Sequence, residues 1–193
     1  MEFWETFYRL MDAWLMPAYR LPPVPLWGFY LGTLVLALGS VLLGELAYGL
    51  ALRADRKQVA RYRGEVVRLN NLSLAALEAG DRESYRAANH LANEAFGRMF
   101  FLQAALSLAS LWPLPFALAW MQYRFFEVEF PLPLTGFSLG YTGPFLLLYI
   151  LLRIGFGGIK SRLPFFRGSA RIFQELVRES GRMRSWRELW PNS

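Results

Sequence analysis

The sequence predicts an all-α membrane protein with three transmembrane helices, on the strength of its composition and of three long apolar runs. Of 193 residues, 54% are hydrophobic and only 19% charged, more apolar surface than one domain of this length needs for a core. The runs 26–52, 100–123 and 137–156 each reach the length of roughly 20 residues that crosses about 30 Å of hydrocarbon. Basic residues stand near their ends: Arg20 and Arg53, Arg98 and Arg124, Arg153 and Lys160. Such long side chains reach the membrane interface. Gly140, Gly143 and Pro144 interrupt the third run.

Each element has its own justification. Residues 1–25 open with "MEFWETFYRLMDAWL", where Phe3, Trp4, Phe7, Tyr8, Met11, Trp14 and Leu15 recur at helical spacing. This predicts an interfacial amphipathic helix, its aromatics at headgroup level. The acids Glu2, Glu5 and Asp12 set this leader apart from an ordinary signal peptide. "RLPPVPLWG" supplies a proline corner into the first span. Residues 53–99 read as a helical hairpin. Val59, Tyr62, Val66 and Leu69 line one arm, and Tyr85, Ala88, Ala92, Ala95 and Met99 the other. Gly80 is the stop between the arms and Asp81 the cap of the second; a flexible loop is the plainer alternative. Residues 124–136 form a loop between spans two and three, and 157–193 a basic amphipathic tail. In "RIFQELVRESGRMRSWRELW" the residues Ile172, Phe173, Leu176, Met183, Trp186 and Trp190 alternate with Arg171, Arg178, Arg182, Arg184 and Arg187. Those arginines suit anionic lipid, or alternatively RNA or a ribosome.

Charge sets the expected orientation. Residues 53–99 carry nine basic and six acidic side chains, and the chain after Gly157 carries eight and three. By the positive-inside rule both face the cytoplasm, so the N-terminus lies outside and the C-terminus inside. Cysteine is absent and His90 is alone, so no disulfide, thiolate chemistry or metal site is expected. No GxxxxGK[ST], HExxH or GxSxG motif occurs, and neither an enzyme nor a cofactor is expected.

The polar residues inside the spans are the candidate functional set. Glu45 lies eight residues before Arg53, roughly 12 Å of helical rise, in the cytoplasmic half of span one. On span two, Gln103, Ser107 and Ser110 fall at i, i+4 and i+7, one helical face. On span three, Thr142, Tyr149 and Arg153 share a face. The outer stretch "LWPLPFALAW" has no charged group. Together they predict a half-membrane groove, polar at its cytoplasmic end and apolar outside. A transporter path would continue across both halves. An ion pair between Glu45 and Arg153 is compatible with this groove, and Gly28 with Gly32 is a GxxxG packing signal.

This layout resembles the YidC/Oxa/Alb insertase superfamily, most closely its short three-span archaeal YidC-like branch, and is similar to the Get insertase subunit and the core insertase subunit of the ER membrane complex. The resemblance covers about Trp4 to Lys160, carried by "LMPAYRLPPVPLWGFYLGTLVLALGSVLLG" and "FPLPLTGFSLGYTGPFLLLYILLR". It implies insertion of nascent or newly made membrane proteins without an energy source, in a prokaryotic plasma membrane. Glu45, Gln103, Ser107, Ser110, Thr142, Tyr149 and Arg153 would then meet substrate. Bacterial members carry an arginine in the first groove helix, whereas span one here offers Glu45 and no basic residue. A scaffold subunit anchoring other membrane subunits is the alternative from a different class.

Overall fold

The computed structural model describes residues 2–131, 138–159, 167–185 and 188. In chain order its elements are α1 (Glu2–Arg20), α2 (Pro25–Ala54), α3 (Arg56–Glu78), α4 (Arg82–Ala109), α5 (Pro113–Phe125), β1 (Glu129–Pro131), β2 (Ser138–Gly140), α6 (Thr142–Ile159) and α7 (Arg167–Glu179). Among the described residues, three helical stretches are long and apolar enough to cross a membrane: Pro25–Ala54, Arg82–Phe125 and Thr142–Ile159. The chain divides into two compact units, Met1–Ala47 with Ser110–Lys160 and Tyr48–Ala109 with Ser161–Ser193.

The first unit has one apolar core, contributed by α1, α2, α5 and α6. Tyr19, Phe29, Ala37, Val41, Trp120 and Phe145 are buried in it. α1 packs Tyr8, Met11, Leu15 and Met16 against this core and leaves Leu10 and Trp14 exposed. Gly28 and Gly32 have a specific task here. A Cβ on Gly28 would overlap the Tyr19 carbonyl oxygen, and one on Gly32 would overlap the Tyr19 ring. The GxxxG face therefore seats a tyrosine of α1, and the Tyr19 hydroxyl reaches Thr33 Oγ1 at 3.4 Å. Burial pushes the Tyr19 phenol up to about 12 against the opposing pull of that bond, so it stays neutral at any working pH.

Two boundaries differ from the sequence expectation. The second apolar stretch breaks after Ala109, and α5 begins at Pro113. Pro113 has no N–H to donate to Ala109, and Pro115 has none to donate to Leu111, so the ladder cannot run through. The third apolar helix, α6, begins at Thr142 rather than residue 137, because Ser138–Gly140 pairs antiparallel with Glu129–Pro131. Pro144 lies in the first turn of α6, where a missing N–H costs nothing.

In the second unit α3 and α4 pack in opposite directions. Val66 and Leu69 meet Ala92 and Ala95, and Arg98 reaches Glu65 at 2.9 Å. The turn between them uses Gly80 at φ +75°, a left-handed conformation that favours glycine. Asp81 Oδ1 then accepts the Glu83 and Ser84 N–H groups at 3.1 and 3.0 Å, the N-cap arrangement. Hydrogen bonds from Ser84 are the main cause holding the Asp81 carboxyl below its usual range. α7 covers the lower end of the pair: Leu176 is buried with Leu52, Val59 and Leu106.

Candidate functional site

The first unit holds a buried polar cluster at the proline break. Ser110 lies in the turn after α4 and is only 1% exposed. Its carbonyl oxygen abuts α2 at Gly44, where a Cβ would overlap it. This close approach requires glycine. The next residue on α2 is Glu45, 8% exposed. From α6, the Arg153 guanidinium donates to Ser110 Oγ and, at 3.3 Å, to the Tyr149 hydroxyl. Tyr149 is itself buried against the core. Ser110, Tyr149 and Arg153, separated by up to 43 positions, are thus brought into one network. Thr142 is half-buried at the start of α6.

Gln103 and Ser107 belong to the other unit. They sit on an exposed face of α4, where Ser107 Oγ donates to the Gln103 carbonyl at 2.9 Å. The expected three-residue stripe therefore ends at Ser107, because the helical register stops before Ser110. Both residues line a hollow of about 360 Å³ with Phe96, Met99, Phe100 and Ala104. Gln103 also lines a second hollow, of about 270 Å³, between α3, α4 and the segment after α7.

The tail arginines divide. Arg171 and Arg178 are exposed on α7. Arg182 pairs with Glu188 at 2.7 Å, and Arg184 makes a two-pronged ion pair with Glu78 of α3. Arg187 lies outside the described residues, as do Trp186 and Trp190. The apolar residues Leu176, Ile172 and Phe173 pack into the core shared with Leu52, Val59 and Leu106.

Some polar contacts had no sequence signal. Asp12 accepts from Trp120 Nε1 at 2.9 Å and pairs with Arg124 at 3.1 Å, tying α1 to α5. Thr33 and Ser40 are buried on α2, Ser40 donating to the Leu36 carbonyl at 2.9 Å. Such hydroxyls look like ordinary span residues until their neighbours are known. No group of three or more potential metal ligands occurs among the described residues.

These features define a helical protein with three segments able to cross a membrane and a buried polar cluster at a broken helix. No family model matches the chain, and no solved structure matches it. A stretch of 43 residues, 22% of the chain, is 42% identical to part of an uncharacterized protein of Archaeoglobus fulgidus. The match spans 30% of that protein's length.

Proposed function

We propose that the chain is a YidC-like membrane protein insertase or biogenesis factor. In this reading its spans give a substrate helix a half-membrane groove, polar toward the cytoplasm, and α3 with α4 form a cytoplasmic hairpin. The observation that carries the reading is the Ser110, Tyr149 and Arg153 network beside buried Glu45. Non-helical backbone and ionisable side chains at membrane depth are expensive where they face lipid, and are kept where they line a protein cavity or water path. A wet, charged half-groove lowers the desolvation cost of moving a short hydrophilic segment, while the substrate's apolar helix supplies the drive into lipid. Charge bias gives the orientation, with α1 as an interfacial helix on the outer side. Nascent or newly made membrane proteins are the partners, with lipid or a ribosome meeting Arg171 and Arg178.

The test uses the full chain reconstituted in liposomes. Replacing Arg153 with Met and Ser110 with Ala should slow insertion of substrates with short hydrophilic translocated tails and leave purely apolar hairpins unaffected. A photoreactive residue at half-buried Arg153 should crosslink to a stalled substrate, and one at exposed Leu147 should not. Unchanged insertion, with crosslinks to one fixed partner, would favour the second reading, a scaffold subunit. That reading draws on an apolar cavity of about 420 Å³ between α1, α2 and α5, with Trp14, Leu43 and Trp112 among its walls, which suits side chains of a companion subunit.

A further inference from the structure

The segment after α7 is held on α3 by its main chain. α7 ends at Glu179, and Gly181, at a φ of +79°, turns the chain to run along α3. Asn71 then brackets Met183: its Nδ2 donates to the Arg182 carbonyl at 3.0 Å, and its Oδ1 accepts the Arg184 N–H at 2.8 Å. Those two groups lie on the same side of an extended chain, so one side-chain amide satisfies both. Asn70 Nδ2 adds a bond to the Arg184 carbonyl at 3.1 Å, and Glu78 takes the Arg184 guanidinium through both carboxylate oxygens. Three of these contacts read backbone and one reads an arginine. The same segment forms one side of the 270 Å³ hollow, with Gly181 and Met183 opposite Val66, Phe96, Met99 and Gln103. Phe96, Met99 and Gln103 also border the neighbouring 360 Å³ hollow.

We propose that Asn70, Asn71 and Glu78 form a binding site for an extended arginine-containing peptide, occupied in cis by Arg182–Arg184, and that this occupancy latches shut the apolar hollow between α3 and α4. Main-chain recognition tolerates many sequences, and the Glu78 ion pair selects arginine at one position. Because the ion pair is exposed, its grip is modest. A basic extended segment from another protein could therefore displace it. Release removes the Met183 wall and joins Val66, Val67 and Met99 to the already exposed Phe96 face, lengthening the apolar surface offered to a ligand. The inference rests on the insertase reading only for naming that ligand as a substrate helix.

The chain has no cysteine, so two can be introduced cleanly. With cysteines at Met99 and Met183 in the full chain in nanodiscs, a short bis-maleimide should bridge the pair efficiently. Glu78→Arg should cut bridging roughly threefold, and the swap Glu78→Arg with Arg184→Glu should restore it. Asn71→Ala, which deletes two bonds without adding charge, should act in the direction of Glu78→Arg. Capture of a synthetic apolar helical peptide by a photoreactive residue at Phe96 should rise in each variant that loses bridging and fall back in the swap. Bridging that ignores both Glu78→Arg and Asn71→Ala would overturn the latch. Lost bridging with unchanged capture would overturn its control of the hollow. Neither readout measures insertion, so a failed insertase reading would leave both interpretable.

Discussion

The two units bury polarity in opposite ways. In the first, polar groups are few and set against the core: Trp120 is fully buried with its indole N–H on half-buried Asp12, and half-buried Arg153 is held by buried Ser110 and Tyr149. In the second they are many and lie at or near the surface, and they tie the tail to the helical pair at α3: an exposed bond from Arg56 to Glu175 at 3.0 Å, a part-buried one from Arg63 to Ser180 at 2.9 Å, and an exposed one from Arg184 to Glu78. Enclosed bonds are costly to break, because removing one partner strands the other without water. Exposed pairs contribute little each and are screened by salt. The first unit is accordingly built to stay in one arrangement. The second is built to let one segment go while its Leu176 core stays intact.

The largest expected effect lies in the enclosed unit. Trp120→Ala should cost about 3–5 kcal/mol, through the cavity it leaves and the loss of the Asp12 bond. Thermal unfolding in detergent measures it, and a loss no larger than that of a surface substitution would erase the contrast between the units. Gly44→Ala should follow, at about 1–3 kcal/mol, because its methyl group must push against the Ser110 carbonyl rather than a movable side chain. The same assay checks it, and Gly39→Ala, where nothing lies near, serves as its neutral control.

The smallest effect belongs to the exposed unit and is read by pH. Arg184 holds the Glu78 carboxyl below its usual range, so its contribution is complete above the ordinary carboxylate value. It fades as pH falls through the depressed one. Bridging between cysteines at 99 and 183 should therefore persist at neutral pH and be lost only in acid. Asp81 titrates in the same direction. Glu78→Gln separates the two, since it should weaken bridging at neutral pH and remove most of the acid dependence.

How far the sequence reaches follows the same contrast. Apolar length made the three spans legible, and periods of three and four placed Val66, Leu69, Ala92 and Ala95 on facing sides. Hydropathy averages over a proline, so the break at 110–112 was hidden inside an apolar run, although Pro113 and Pro115 were in plain view. The shared face of Tyr149 and Arg153 was readable from helical spacing; that Arg153 would meet Ser110 was not. Asp12 with Trp120, 108 positions apart, and Asn71 with Arg184, 113 apart, leave no local trace, since neither residue type departs from its surroundings. The tail's spacing marks Ile172, Phe173 and Leu176 as apolar neighbours, and these three pack together. What they would lie against depended on tertiary placement.

The separation of Asn71 from Arg184 also fixes an order of events during synthesis. The receiving residue on α3 is made 113 positions ahead of the one it holds. At about 5–20 residues per second that is an interval of roughly 6 to 23 seconds. Throughout that time the site on α3 has no cis occupant, so the proposed latch can close only after Arg182–Arg184 have been made.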